Sequence, residues 1–299
     1  MKYIILILVL MFSVSLYAEG SDVYRGLQKI ERSEIFRSGN NTRKEKNMTE
    51  AQTFAKCTAY PNPFYYEESV REFQGIPTVA VSPKGRIFLA WEAGGDHEPD
   101  PRQYLIVHYS DDEGETWSDP IYVIDCDRDR KIWVGDIQLW TSPEGDIHIY
   151  WAQDDWFDWN KESFENNIMV PDFGKDTVRY TWRCVCKNPD SVKPVFSEPE
   201  YIFDGCMRGR PKAVKSGRIF YPTYDENKDT FIYTYSDDGG KTFFTKNGGK
   251  KIATDGDEPE IFEREDGSLV RMQRTVTGFI GQAFSYDNGD TWTDGENSS

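Results

Sequence analysis

Short apolar runs separated by glycine-bearing breaks recur along most of this chain. In one copy Gly75-Ile76-Pro77-Thr78-Val79-Ala80-Val81 leads into Ser82-Pro83-Lys84-Gly85 and returns as Arg86-Ile87-Phe88-Leu89-Ala90-Trp91. A second opens at Gly135-Asp136-Ile137, breaks at Pro143-Glu144-Gly145 and returns as Ile147-His148-Ile149-Tyr150-Trp151. A third runs from Gly209-Arg210-Pro211 through Ser216-Gly217 to Ile219-Phe220-Tyr221. A fourth runs from Asp257-Glu258-Pro259 through Asp266-Gly267 to Leu269-Val270-Arg271-Met272. β-Branched and aromatic residues on both sides of a turn glycine predict a β-hairpin at each copy. The turn glycines Gly85, Gly145, Gly217 and Gly267 lie 60, 72 and 50 residues apart. That period suits the blades of a β-propeller with loops of variable length.

A second motif follows three of the hairpins. It reads Ser110-Asp111-Asp112-Glu113-Gly114-Glu115-Thr116-Trp117, then Ser236-Asp237-Asp238-Gly239-Gly240-Lys241-Thr242-Phe243, then Ser285-Tyr286-Asp287-Asn288-Gly289-Asp290-Thr291-Trp292. An aspartate that accepts from its own backbone amides, a glycine free to take a positive φ and a closing aromatic ring make a tight turn at the end of a hairpin. The second copy lacks the motif. Phe196-Ser197-Glu198-Pro199 stands there as the counterpart of Trp117-Ser118-Asp119-Pro120.

Chain direction sorts these features onto two rims. The first strand of each copy runs to the glycine turn, the second returns, and the third descends to the Asp-rich turn. Glycine turns and Asp-rich turns therefore share one rim. Strand starts share the other with the loops between second and third strands. That second rim collects Asp136, Arg210 and Glu258 from strand starts, and Arg274 from the last such loop. Asp96 and Asp100 lie in the loop Glu92–Arg102, where they either do chemistry or cap turns. Trp156 and Trp159 flank Asp158 in a long insertion; such rings stack on a sugar or pin the loop.

Composition narrows the possible partners. A net charge of -16 over 299 residues argues against nucleic acid and anionic membrane surfaces, both of which reward an excess of Lys and Arg. Five cysteines and three histidines without zinc-ligand spacing give no support for a metal, and no cofactor motif is present. Cys184 and Cys186, two apart on a strand, share a face. The cysteines read mostly as small buried hydrophobes, with at most one or two disulfides. At the start, Lys2 precedes an apolar run to Phe12, and Ala18 follows. This predicts a signal peptide over residues 1–18, and hence export to the periplasm or beyond without membrane insertion after cleavage. The apolar run is shorter than the ~20 residues of a spanning helix. Residues 19–70 read as a segment partly extended or disordered, able to supply a closing strand, and residues 71–299 as the propeller.

The thrice-repeated Ser-x-Asp-x-Gly-x-Thr-[Trp/Phe] resembles the Asp box of the sialidase superfamily, also called BNR-repeat proteins, over residues 71–299. The resemblance implies an all-β, six-bladed β-propeller, four of whose blades are recognisable here. It also implies an exo-glycosidase that grips a sugar carboxylate with three arginines. Its nucleophile is a tyrosine activated by a glutamate, and an aspartate serves as acid/base. Glu258 with Arg274 looks like the family's activating glutamate and one of its arginines. The acid/base would be Asp96 or Asp100, Asp96 being preferred. Arg210, Asp136, Trp156 and Trp159 would bind substrate. Gly75-Ile76-Pro77 stands where the family carries Arg-Ile-Pro, and the arginine and tyrosine of the last blades find no counterpart. The implied function is a secreted hydrolase of a terminal sugar of a glycan, acidic sugars included. A carbohydrate-binding propeller without turnover and a lyase acting on uronate polysaccharides are the alternatives. Asp boxes identify a fold and leave the reaction open.

Overall fold

The computed structural model describes residues 54–298 apart from 101, 128, 156–177, 226–227 and 255–256. Residues 1–18, where a leader is expected, and Trp156 and Trp159 lie outside the described residues. All described residues belong to one unit, Met48–Ser299.

Each predicted hairpin is the inner half of an antiparallel sheet. Blade 1 holds β2 (Gln74–Val81), β3 (Ile87–Ala93), β4 (Tyr104–Ser110) and β5 (Tyr122–Asp125) in meander order. A further strand, β1 (Lys56–Ala59), pairs antiparallel with β5 at the outer edge. Blade 2 is β6 (Ile132–Thr141), β7 (Ile147–Asp155), β8 (Val178–Cys186) and β9 (Glu200–Asp204). In blade 3 a two-residue pair, β10 (Cys206–Met207) with β13 (Thr223–Tyr224), accompanies β11 (Lys212–Ala213), β12 (Ile219–Tyr221), β14 (Thr230–Ser236) and β15 (Phe244–Lys250). Blade 4 is β16 (Glu260–Glu263), β17 (Leu269–Gln273), β18 (Gly281–Ser285) and β19 (Glu296–Asn297). The result is an all-β, propeller-type arrangement of four blades.

Period-two patterning decides which face each strand buries. In β2, Thr78 and Ala80 are buried while Val79 and Val81 are exposed. Phe88, Leu105 and Val107 of blade 1 share one core with Val134, Ile137, Leu139, Ile149 and Trp151 of blade 2. Tyr150, Phe203, Ile219 and Tyr221 form the core between blades 2 and 3. Phe220, Phe231 and Tyr233 of blade 3 meet Ile261, Leu269 and Ala283 of blade 4. All five cysteines are free thiols, and Cys184 and Cys186 both point into the first core.

The three Asp boxes are built alike. In the first, Asp112 Oδ1 accepts from the Thr116 amide at 2.8 Å and Oδ2 from the Thr116 hydroxyl at 2.6 Å. The Ser110 hydroxyl accepts from the Gly114 amide at 2.9 Å. Asp238 with Thr242 and Asp287 with Thr291 repeat the pattern. Blade 2 closes the same way without an Asp box. The Val185 amide donates to the Ser197 hydroxyl at 3.0 Å, as the Tyr109 amide does to Ser118. Arginines after the glycine turns bind these boxes: Arg86 donates to Asp111 at 2.7 Å and Arg218 to Asp237 at 2.7 Å. Arg86 also reaches the Pro189 and Ser191 carbonyls of blade 2, and Arg218 the Asp290 carboxylate of blade 4. Glycine turns and Asp boxes thus occupy one rim, and the opposite rim is left for the strand starts.

Candidate active site at the strand starts

The inner strands of blades 1 and 2 slip register between Gly75 and Thr78 and between Gly135 and Gln138. The residues in these bulges, Ile76 and Asp136, have positive φ, 50° and 53°. Glu258, at the equivalent point ahead of β16, has φ 41°. Non-glycine residues pay for such a conformation, and it persists only where the surroundings enforce it. A bulge re-aims a side chain. Here the two acidic members turn toward one guanidinium.

That guanidinium belongs to Arg208, between β10 and β11. Its Nε donates to Asp136 Oδ1 and its Nη1 to Glu258 Oε1. Its Nη2 lies 3.8 Å from Glu98 Oε1. Arg274 donates to the same Glu258 oxygen at 2.7 Å. One cation therefore joins loops and strand starts of all four blades. The Asp136 side chain is 2% exposed, whereas Glu98 and Glu258 are 28% and 24% exposed. The first anchors Arg208; the other two are within reach of a ligand.

A second layer holds the first. Glu92 is wholly buried and accepts the Asp136 amide at 2.5 Å and the Gln103 side-chain amide at 3.1 Å. The Tyr224 hydroxyl donates to Asp136 Oδ2 at 3.5 Å. Behind Glu258, buried Asp257 lies 3.5 Å from both Arg271 and Lys251, and its carbonyl accepts the Arg274 amide at 2.9 Å. Burial drives the proton affinities here. It lifts the Glu92 carboxyl well above its ordinary value, with Glu98 and Asp136 adding repulsion. It raises Asp136 against the pull of Arg208. Burial, then repulsion from Asp136, pushes Glu98 up to about 7, Arg208 offsetting part of it.

Of the residues singled out in the sequence, Asp136, Glu258 and Arg274 meet at this cluster. Arg210 does not join it. It is exposed at the start of blade 3 and stands beside the half-buried Glu260, whose carboxyl burial raises and Arg210 partly lowers again. Asp96 and Asp100 stay within their own loop. Asp100 is buried and accepts from the Arg102 side chain at 2.7 and 3.0 Å and from the Arg102 amide at 2.7 Å. Asp96 pairs with His97 and lies 3.4 Å from Arg102. Asp96, His97 and Asp100 offer ligand atoms within 4.8 Å of one another, yet Arg102 already supplies the positive charge.

A family model described as a BNR repeat-like domain matches residues 78–299, well over half of the chain. The chain belongs to the BNR repeat-like family. Among curated proteins, this BNR-repeat chain is similar to the sialidase of Bacteroides fragilis (strain YCH46). The two are 24% identical over 251 residues, covering 75% of this chain and 43% of that one. The leech intramolecular trans-sialidase has a TM-score of 0.60 at 15% identity, covering 89% of this chain and 55% of that one. The NanB sialidase of Streptococcus pneumoniae has a TM-score of 0.57 at 17% identity, with 78% and 53% covered. The BNR-repeat chain spans less than half the length of the curated relatives it matches. At these identities the structural likeness shows the fold.

Arg208, Glu98, Glu92 and Tyr224 are the members of the BNR-repeat site that sequence reasoning missed. Arg208 stands two residues before Arg210 in Met207-Arg208-Gly209-Arg210-Pro211, and the repeat alignment pointed to Arg210, which lies outside the cluster. The inner strand of blade 3 is split into β10 and β11, which takes the usual strand-start position out of register. Glu98 lies between the two aspartates that drew attention, and its two-residue offset from each is the signal that was available.

Proposed function

We propose that this chain is a sialidase-like glycoside hydrolase working at the Arg208 cluster, with Glu98 and Glu258 as its two working carboxyl groups. The observation that carries the reading is the placing of Glu98 at 3.8 Å from Arg208: it is a partly exposed carboxyl, and burial pushes its proton affinity up to about 7. It shares a guanidinium with the ion-paired Glu258. Glycoside hydrolysis needs one carboxyl that still holds its proton near neutrality and a carboxylate across the scissile bond. Glu98 donates its proton to the leaving oxygen as that bond breaks. Glu258 acts from the other side, as base toward water or as nucleophile. The roles first considered for Asp96 and Asp100 pass to Glu98, because Arg102 ties up Asp100 and His97 engages Asp96. Tyr224, buried behind Asp136, is not placed to attack a sugar. Arg274 and Arg208 fix Glu258, and Asp136 fixes Arg208.

The leader expected over residues 1–18 would bring the chain to glycans outside the cytoplasm. Among the described residues no helix is long and apolar enough to cross a membrane.

The test is release of free sugar from fluorogenic glycosides, charged and uncharged, by the purified protein. Glu98→Gln and Glu258→Gln should each lower the rate ~10²–10⁴-fold with unchanged circular dichroism. Binding without release in the unsubstituted protein would leave a carbohydrate-binding propeller. An unsaturated product absorbing in the ultraviolet would mark a lyase.

A further inference from the structure

We propose that Glu92 is the positioning residue of this site: from blade 1 it holds the bulge of blade 2, and through that bulge it keeps Asp136 on Arg208 and near Glu98. The proposal deepens the reading above and rests on it for the part Glu98 takes in hydrolysis.

Between Gly135 and Gln138 the register of β6 slips against β7, and the Asp136 amide turns to the neighbouring blade. A buried amide needs an acceptor. Glu92 Oε1 accepts it at 2.5 Å. The other oxygen, Oε2, accepts from the Gln103 side-chain amide at 3.1 Å, and the same nitrogen donates to the Val134 carbonyl at 3.0 Å. Two side chains of blade 1 therefore grip β6 on either side of Gly135, one at the Val134 carbonyl and one at the Asp136 amide. Both are buried. Glu92 is itself fixed in β3 by its pairs with Gly75 and Leu105.

The repeat assigns this work to one position. Glu92 stands seven residues after Gly85, as Tyr224 does after Gly217 and Arg274 after Gly267. The Tyr224 hydroxyl reaches Asp136 Oδ2, and Arg274 binds Glu258. In three blades the end of the second strand thus supports an acid at a strand start, and Glu92 does so through the backbone. Asp136 has φ 53°, a conformation that a non-glycine residue keeps only while its surroundings enforce it. The direction of its side chain follows from whatever holds the bulge.

The consequence falls on Glu98. The charged groups that face it are Glu92 of its own blade, Asp136 of blade 2, Arg208 of blade 3 and Glu258 of blade 4. Arg179 and Tyr224 in turn face Asp136. Repulsion from Asp136 helps Glu98 keep its proton, and Arg208 works against it. A relaxed bulge would take Asp136 away and leave Arg208 more fully to Glu98, which would then lose its proton at lower pH.

The experiment follows the Glu98 carboxyl by ¹³C NMR in the full chain labelled at its glutamate carboxyls, the signal being assigned by its loss in Glu98→Gln. Glu92→Gln and Glu92→Met are similar in size and equally uncharged, and only the first keeps an oxygen for the Asp136 amide. Glu98 should titrate at least ~1 pH unit lower in Glu92→Met than in Glu92→Gln. Equal titration in the two folded variants would overturn the proposal. Should Glu92→Met not fold, Glu92→Asp, which draws the carboxyl back by one methylene, must lower the Glu98 titration relative to the unsubstituted chain; no change there overturns the proposal as well. Where a glycoside is cleaved, kcat should be ~10-fold or more lower in Glu92→Met than in Glu92→Gln, and the alkaline limb of the pH–rate profile should move with the NMR titration. A titration difference without cleavage of any glycoside keeps the positioning role and sinks the hydrolase. Cleavage with equal titrations does the reverse.

Discussion

Glu98 and Asp100 sit two residues apart in one loop and have opposite surroundings. Asp100 is wrapped by Arg102 donors. Glu98 faces Asp136 and Glu258 with Arg208 shared among all three. On the proposed reading the second arrangement supplies the proton donor for neutral pH. Glu98 holds its proton below about 7 and loses it above, so hydrolysis should fall about tenfold per pH unit above that point. A pH–rate profile checks this, and Glu98→Gln should abolish that limb. Arg208 offers a second test at this scale. Its removal strands the buried Asp136 charge, so Arg208→Ala should cost about 3 kcal/mol in chemical denaturation. Asp136→Asn in the same chain should recover part of that loss, since the stranded charge is then gone.

At the scale of elements, the Asp boxes turn the third strands of blades 1, 3 and 4 and offer the carboxylates of Asp111, Asp237 and Asp290 to the arginine clamps. Hydroxyl and amide donors from Thr116 hold the Asp112 carboxyl down at about 2, and Asp238 and Asp287 are lowered by the same kind of bonds. A carboxyl lowered in the folded state stabilises it above the unfolded value of ~4 and loses that effect as pH falls through the folded value. Melting temperature should therefore drop between about pH 4 and pH 2, and less so in Asp112→Asn, where one of the titrating boxes is gone. These boxes and the hairpins were legible because their chemistry is local. Gly85, Gly145, Gly217 and Gly267 all adopt the positive φ that the turns demand, and Ser197 occupies the place that Phe196-Ser197-Glu198-Pro199 suggested. The site was legible only where the repeat is regular. Asp136 and Glu258 follow from strand position, and Arg274 from its loop. Arg208 does not, because blade 3 breaks its inner strand. Nor does Glu98, because three acids in one loop are told apart by packing alone.

Across the whole Met48–Ser299 unit, the cores between blades are unequal, and the site depends on the weakest part. Blades 1 and 2 share Phe88, Leu105, Trp133, Ile137, Trp151 and Trp182 in one continuous core. Blade 4 meets blade 3 through a smaller set and leaves Phe262, Phe279 and Tyr286 exposed. Local opening follows the buried apolar area that must be given up. Amides of β3, β4, β6 and β7 should thus exchange with deuterium most slowly, and those of β16, β17 and β18 clearly faster, in native conditions. Glu258 and Arg274 ride on that looser blade, while Asp136 and Glu98 belong to the firmer pair. A sugar gripped by both groups binds only the assembled arrangement and must stabilise it by mass action. A glycoside that binds should therefore slow exchange in β16 and β17 more than in β6 and β7. Equal protection of all four blades, or none in blade 4, would show that the bound sugar does not bridge Glu98 and Glu258.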